Sequence, residues 1–285
     1  MKYDTWPMVT IYTITYNQCA IVQRTIHGLL EQDYPNQLYE VIVLDDGSND
    51  GTLENLYKIV KTYSEKKIKI LYRKHTEDYM SSKCWNECIA AASSKTSVFI
   101  QVDDIVPRPD LIKQHIKWHS RGENFVVTGA KFEADQETWK LTDCRRNFLS
   151  TSGIPVFCDF QAAWGASLSF AKKWTSPIYQ LPYDKPFDER MSGWGYQETE
   201  FALRMVKNGA RVIYDPKAGV FHRKHTYDSE NARNLEREKL ITIGSQKNIE
   251  YLCQKHGMEE LPEWEMSGPI SDSIIKNVTN LYTLE

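Results

Sequence analysis

No stretch of the 285 residues approaches the roughly 18 to 20 consecutive apolar residues that a helix needs to cross a bilayer. The opening segment MKYDTWPMV lacks the apolar core of a secretory signal. A cytoplasmic location, with at most peripheral contact to a membrane, is expected. Cysteine is sparse for a stapled fold: Cys19, Cys84, Cys88, Cys144, Cys158 and Cys253 include no CxxC pair, and a chain of this size does not need disulfides to hold its core. They read as free thiols. An excess of positive charge is missing too, since 35 Lys and Arg stand against 38 Asp and Glu, which removes the global basic field of a nucleic-acid binder. A soluble globular chain remains, and homo-oligomers are compatible with it.

Glycine is absent from the turn after the first predicted strand, where TITYNQCA stands. A dinucleotide-binding turn and a phosphate-cradling P-loop are both excluded by that absence. What is present is an alternation of strand and helix patterns. VTIYTITY over 9–16 is β-branched and aromatic, and Ile21, Val22, Ile26, Leu29 and Leu30 follow at helical spacing. Strand 39–44, helix 53–63, strand 68–72, helix 81–92 and strand 98–102 continue the series. Such alternation predicts a mostly parallel, Rossmann-like α/β sheet flanked by helices, with ligands beyond the carboxyl ends of the strands. Those ends carry Thr15-Tyr16-Asn17, Asp45-Asp46 and Asp103-Asp104. Beyond residue 120 the pattern is mixed: 125–127 reads as a strand, 131–160 as irregular, 211–214 as a strand, and 228–285 as a charged helix with a weakly structured tail.

Two adjacent acids after a buried strand repel each other and lose solvation, a situation that a hard divalent cation relieves. Manganese or magnesium there would bridge them to phosphate oxygens; the simpler reading has Asp104 capping the following helix. The pairs Cys84/Cys88 and His115/His119 lie four apart on predicted helices and lack a third ligand nearby, so they read as buried thiols and surface imidazoles. In GWGYQETE the two glycines around Trp194 permit an unusual turn, and Gln197, Glu198 and Glu200 are the polar groups it presents.

Taken together, Tyr16-Asn17, the Asp45–Thr52 run DDGSNDGT, Asp103-Asp104 with Pro109-Asp110, Phe187-Asp188-Glu189 and GWGYQETE resemble the motifs of inverting family 2 glycosyltransferases with the GT-A fold, in their order over about residues 9–225. The resemblance implies a nucleotide-sugar-binding half over 9–118, an acceptor and catalytic half over 119–227, and a C-terminal helical extension over 228–285 beyond the 1–227 domain. It implies that Thr15, Tyr16, Asn17 and Asp45 or Asp46 hold uracil and ribose, that Lys83 approaches the nucleotide, and that Asp103 contacts ribose or sugar. Asp104 becomes the metal ligand, and His222 the late histidine that binds metal or diphosphate. The first acid of the family's DxD is Val102 here.

Direct displacement needs a carboxylate to take the acceptor's proton. The resemblance gives that part to Glu198, with Gln197 replacing the family's Glu. The helix dipole then favours the ionised base. Glu200 is expected to pair with Arg204 on an exposed helix face. Trp164, Trp194 and Tyr196 offer faces for sugar rings, and Gly165 and Gly195 leave room beside them. The expected function is metal-dependent, inverting transfer of a hexosyl or N-acetylhexosaminyl group from a nucleoside diphosphate sugar, UDP-linked, to a hydroxyl of a glycan, lipid-linked or protein acceptor. A catalytically silent nucleotide-sugar-binding module is the alternative.

Overall fold

The computed structural model describes residues 6–76, 80–103, 105–122, 124–134, 139–140, 155–179, 185–223, 232–262 and 266–269. Four strands follow the expected alternation: β1 (Val9–Thr15), β2 (Tyr39–Asp45), β3 (Ile68–Tyr72) and β4 (Val98–Val102), separated by α1 (Val22–Leu30), α2 (Thr52–Thr62) and α3 (Ser81–Ala91). All neighbouring pairs among them are parallel. After β4 come β5 (Ile105–Pro107), α4 (Leu111–His119), β6 (Phe125–Ala134), β7 (Trp139–Lys140), β8 (Val156–Cys158) and β9 (Ser167–Ala171). The chain closes with α5 (Gln197–Lys207), β10 (Arg211–Arg223), α6 (Ala232–His256) and β11 (Met266–Pro269). The described strands form one sheet in the order β11-β8-β10-β6-β9-β4-β1-β2-β3, with β5 on β10 and β7 on β6.

Alternation along the strands divides the core in two, because successive side chains leave a strand on opposite faces. Val9, Ile11, Val41, Val43, Val98 and Ile100 face α1, α2 and α4, whereas Tyr12, Ile42, Leu44 and Phe99 face α3, α5 and α6. Burial on both sides explains why β2 reads as one continuous apolar run. β9 enters antiparallel between β4 and β6 and so ends the parallel series.

Two strands run further than their sequence suggests. β6 continues to Ala134 through a stretch expected to be irregular, and β10 continues past Tyr214 to Arg223. A bulge between Asp215 and Val220 absorbs Pro216 and Gly219, the residues that look like strand breakers, so pairing with β6 resumes beyond it.

The expectation of surface imidazoles on α4 is overturned. His115 and His119 are buried beneath β9, where His115 bridges Ser169 and Ser167 (2.8 and 2.9 Å) and His119 meets Ser169 (2.8 Å). The i,i+4 face is the core-facing one, and the small hydroxyls of β9 supply the partners. Cys84 and Cys88 are buried thiols as expected.

Burial holds both imidazoles neutral by lowering each to about 3. Below their ordinary 6.5 the unfolded chain takes up protons that the folded chain refuses, so stability falls as pH drops from about 6.5 toward 3. The melting temperature should therefore fall between pH 7.5 and 5.5, and His119→Gln should shrink that fall. Equal falls in the two proteins would refute this account.

Candidate active site

The parallel strands end in register at Thr15, Asp45 and Tyr72, and the loops beyond them interlock. Asn17 takes a left-handed conformation (φ 52°), its N–H donates to Ser48 Oγ (2.8 Å), and its side-chain oxygen accepts the N–H of Asn49 (2.9 Å). Thr15 donates to Gln18 (3.0 Å). Asp45 accepts the N–H groups of Gly47 and Ser48 (3.0 and 2.8 Å), a turn-forming use of an acid. Asp46 pairs with Arg73 (3.2 Å) and His75 (2.9 Å), and Tyr16 stacks on His75 with centroids 3.9 Å apart. Lys83 is half-buried in the first turn of α3.

A cavity of about 480 Å³ opens beside this cluster, between the end of β4, the loop before β9 and the start of α5. Asp103, Trp164, Gly165, Trp194, Gly195, Gln197 and Glu198 all line it, as expected residues gathered from distant parts of the chain. Thr15, Tyr16, Asn17, Asp45, Asp46 and Lys83 do not; they belong to the neighbouring strand-end cluster or to α3. His222 lies buried on β10 opposite Ile105 of β5, directly after the acid pair in sequence. Asp104 lies outside the described residues. Among the described residues no group of three or more His, Cys, Asp and Glu side chains could hold a metal.

Why Glu198 stands where it does follows from the turn before it. Gly193, Gly195 and Tyr196 have φ of 80°, 91° and 69°, so three of four consecutive residues are left-handed. The turn rests on α6: a Cβ at Gly244 would lie 2.6 Å from the Trp194 nitrogen. Ser245 donates to the Trp194 carbonyl (3.1 Å) and Asn248 to the Gly195 carbonyl (2.9 Å). Gln197 turns its amide back to the Gly193 carbonyl (2.7 Å), so its main bond closes the turn. Trp194 keeps an exposed face at the cavity rim and Trp164 is half-buried on its wall.

Glu198 accepts a hydrogen bond from Gln101 (2.9 Å). Burial raises its pKa, its own backbone N–H opposes that, the Asp103 charge raises it further, and the Gln101 and Gly165 donors lower it, leaving it at about 7. The expected ease of ionisation is corrected accordingly: Gln197 contributes no like charge, but Asp103 does. Glu200, two residues on, faces the other way. It is fully buried, not on an exposed face, and Arg204 grips it in a two-pronged pair (2.8 and 2.8 Å). Lys255 (2.5 Å) and His256 (3.1 Å) reach it from α6, and Lys255 also joins Asp188 (2.9 Å). Burial alone would raise Glu200, yet His256, Arg204 and Lys255 hold it at about 2.

Sequence reasoning missed Gln101, Tyr12 and Lys131. Gln101 had a signal, being the one polar residue in the buried strand VFIQV. Lys131 lines the cavity from β6, in a segment whose sequence looks irregular.

The Glycosyl transferase family 2 profile matches residues 10–179. Among curated proteins, the chain is 23% identical over 266 residues to an uncharacterized glycosyltransferase of Haemophilus influenzae, covering 89% of this chain and 76% of that one. It is 24% identical over 283 residues to the chondroitin synthase of Escherichia coli, covering 87% of this chain but only 39% of that protein. In fold it is similar to a mannosyltransferase from Pyrobaculum calidifontis in complex with GDP-Man and Mn2+ (TM-score 0.60, 18% identity, 85% of this chain and 64% of that one). It is also similar to GalNAc-T7 with UDP, GalNAc and Mn2+ (TM-score 0.63, 13% identity, 88% of this chain and 48% of that one).

Packing at the cavity wall makes one residue non-exchangeable. A Cβ on Gly165 would lie 2.1 Å from both Gln101 Nε2 and Glu198 Oε1, inside the hydrogen bond between them. Gly165→Ala should therefore displace Glu198 and reduce turnover at least about tenfold, the scale of a misplaced acid–base group, with a melting temperature close to that of the parent. Parental turnover in a folded Gly165→Ala protein would contradict this geometry.

Proposed function

Because this chain belongs to glycosyl transferase family 2 and has the GT-A fold, we propose that it is an inverting glycosyltransferase acting on a UDP-linked sugar, with Glu198 as the base. The observation that carries the reading is the Glu198 carboxylate on the cavity wall, held at about 7 beside Asp103 in a cavity that Trp164 and Trp194 also line. A base poised near neutral pH balances the ionised fraction against the drive to take a proton.

In this reading Glu198 accepts the proton of the acceptor hydroxyl as that oxygen bonds to the anomeric carbon. The bond from that carbon to the diphosphate breaks on the opposite face, and the nucleoside diphosphate leaves with the electron pair. Trp164 and Trp194 stack on sugar rings. Thr15, Tyr16, Asn17 and Asp45 or Asp46 meet uracil and ribose, Lys83 approaches the nucleotide, and Asp103 meets the ribose or donor sugar. His222 is buried on β10 across from β5, and an imidazole together with carboxylate oxygen is a combination that suits manganese or magnesium. Asp104 and His222 would hold that ion, and its charge would neutralise the leaving diphosphate. The acceptor hydroxyl belongs to a glycan, lipid-linked or protein molecule in this reading, and Trp194 presents an exposed face for it. No described helix is long and apolar enough to cross a membrane.

Release of UDP from a nucleotide sugar in the presence of manganese is the direct assay. Glu198→Gln should retain less than about a hundredth of the rate, since general-base catalysis is worth roughly 10²–10⁴-fold, while UDP still shifts the melting temperature; more than about a tenth of the rate would rule the base assignment out. The sign of the pH dependence follows from the same group: kcat/KM should rise through about pH 7 as Glu198 loses its proton. A profile flat from pH 6 to 8 would oppose it. For the metal, Asp104→Ala should weaken manganese-dependent UDP binding in calorimetry, and an unchanged titration would exclude Asp104 as ligand.

A further inference from the structure

Tyr12 of β1 and Gln101 of β4 are register partners on parallel strands. Tyr12 lies in the core and Gln101 on the cavity wall, with 0% and 1% of their surface exposed. Tyr12 donates its hydroxyl proton to Gln101 Oε1 (3.0 Å), and Gln101 Nε2 donates to Glu198 Oε1 (2.9 Å). The core thus reaches the candidate base through two hydrogen bonds, and Gly165 leaves just enough room for the second.

An amide can be turned over at little steric expense, so something must decide which end faces the base. With Nε2 toward Glu198, the carboxylate meets a donor and its ionised form is favoured. With Oε1 toward Glu198, two oxygens meet unless Glu198 takes up a proton. We propose that Tyr12 is a positioning residue for glycosyl transfer, fixing the Gln101 amide so that the base meets a hydrogen-bond donor and stands ready to accept the acceptor's proton. Turning the amide would take Oε1 away from Tyr12 and leave its buried O–H proton without that acceptor, an arrangement that interiors avoid. Burial first, with Cys88 and Glu198 adding to it, keeps the phenol protonated far beyond neutral pH, so its role as donor does not change in the working range.

The inference rests on Glu198 being the base, and the experiment separates the two claims. UDP release from UDP-glucose, UDP-galactose, UDP-N-acetylglucosamine and UDP-N-acetylgalactosamine with manganese is followed from about pH 5.5 to 9 for the parent, Tyr12→Phe, Gln101→Met and Glu198→Gln. Asp103 and Lys131, the other charged groups lining the cavity, are common to all four proteins. Tyr12→Phe and Gln101→Met should each move the acidic limb of kcat/KM upward by about one pH unit, a loss of about tenfold near pH 6 that largely recovers near pH 9. Melting shifts with UDP and manganese should match the parent. An unmoved limb in both variants, or the same fractional loss at every pH, overturns the positioning role while a dead Glu198→Gln keeps the base. Parental rates in Glu198→Gln overturn both.

Discussion

The first turn of α5 places two carboxylates in opposite surroundings, Glu198 half-buried and Glu200 fully buried. Glu198 faces the sheet and the cavity, whereas Glu200 faces α6. A buried carboxylate without partners is heavily destabilising, and the two are compensated in different ways. Glu200 is gripped by Arg204, Lys255 and His256 and is held as a permanent anion. Glu198 receives neutral donors and a neighbouring negative charge, so its proton is loosely poised. The anion on one side anchors the helix and the poised carboxyl on the other is left for chemistry. Both depend on the same few residues of backbone, and therefore on the turn of Gly193 to Tyr196 that delivers them.

Much of this was legible in the sequence. The parallel strands β1 to β4 and their helices stand within a residue or two of their patterns, because each is a long periodic segment with one consistent face. The strand-end acids and the GWG turn were legible as motifs, since their residue types are costly without a use. Glu200 looks like half of a surface pair because i,i+4 spacing carries no information about what packs on top; the partners on α6 lie more than fifty residues away. His115 and His119 look exposed for the same reason, as the serines that satisfy them sit on a strand that inserts from later in the chain. β10 was cut short by a proline and a glycine that a bulge tolerates.

Gln101 represents a different kind of miss. A single amide inside an apolar strand is locally a blemish, and only tertiary structure shows that Tyr12 lies beside it and Glu198 above it. Polar residues that break an otherwise apolar strand are therefore worth ranking with the strand-end motifs. The strand-end cluster and the cavity also divide the work by position. The loops after β1 and β2 lock onto one another, while the cavity wall draws on β4, β6, the loop before β9 and α5.

Glycine stands on both sides of the contact between the GWG turn and α6, at Gly193 and at Gly244, and backbone meets backbone there. That contact bears on modularity. The chain spans less than half of the Escherichia coli chondroitin synthase it matches, so units of this kind occur within larger assemblies. A portable unit cut after β10 would leave Glu200 with Arg204 alone of the three side chains that grip it and would strip the support from beneath Trp194. The smallest piece that can be grafted or recombined as a working whole therefore extends through α6, well beyond the last motif by which the family is recognised.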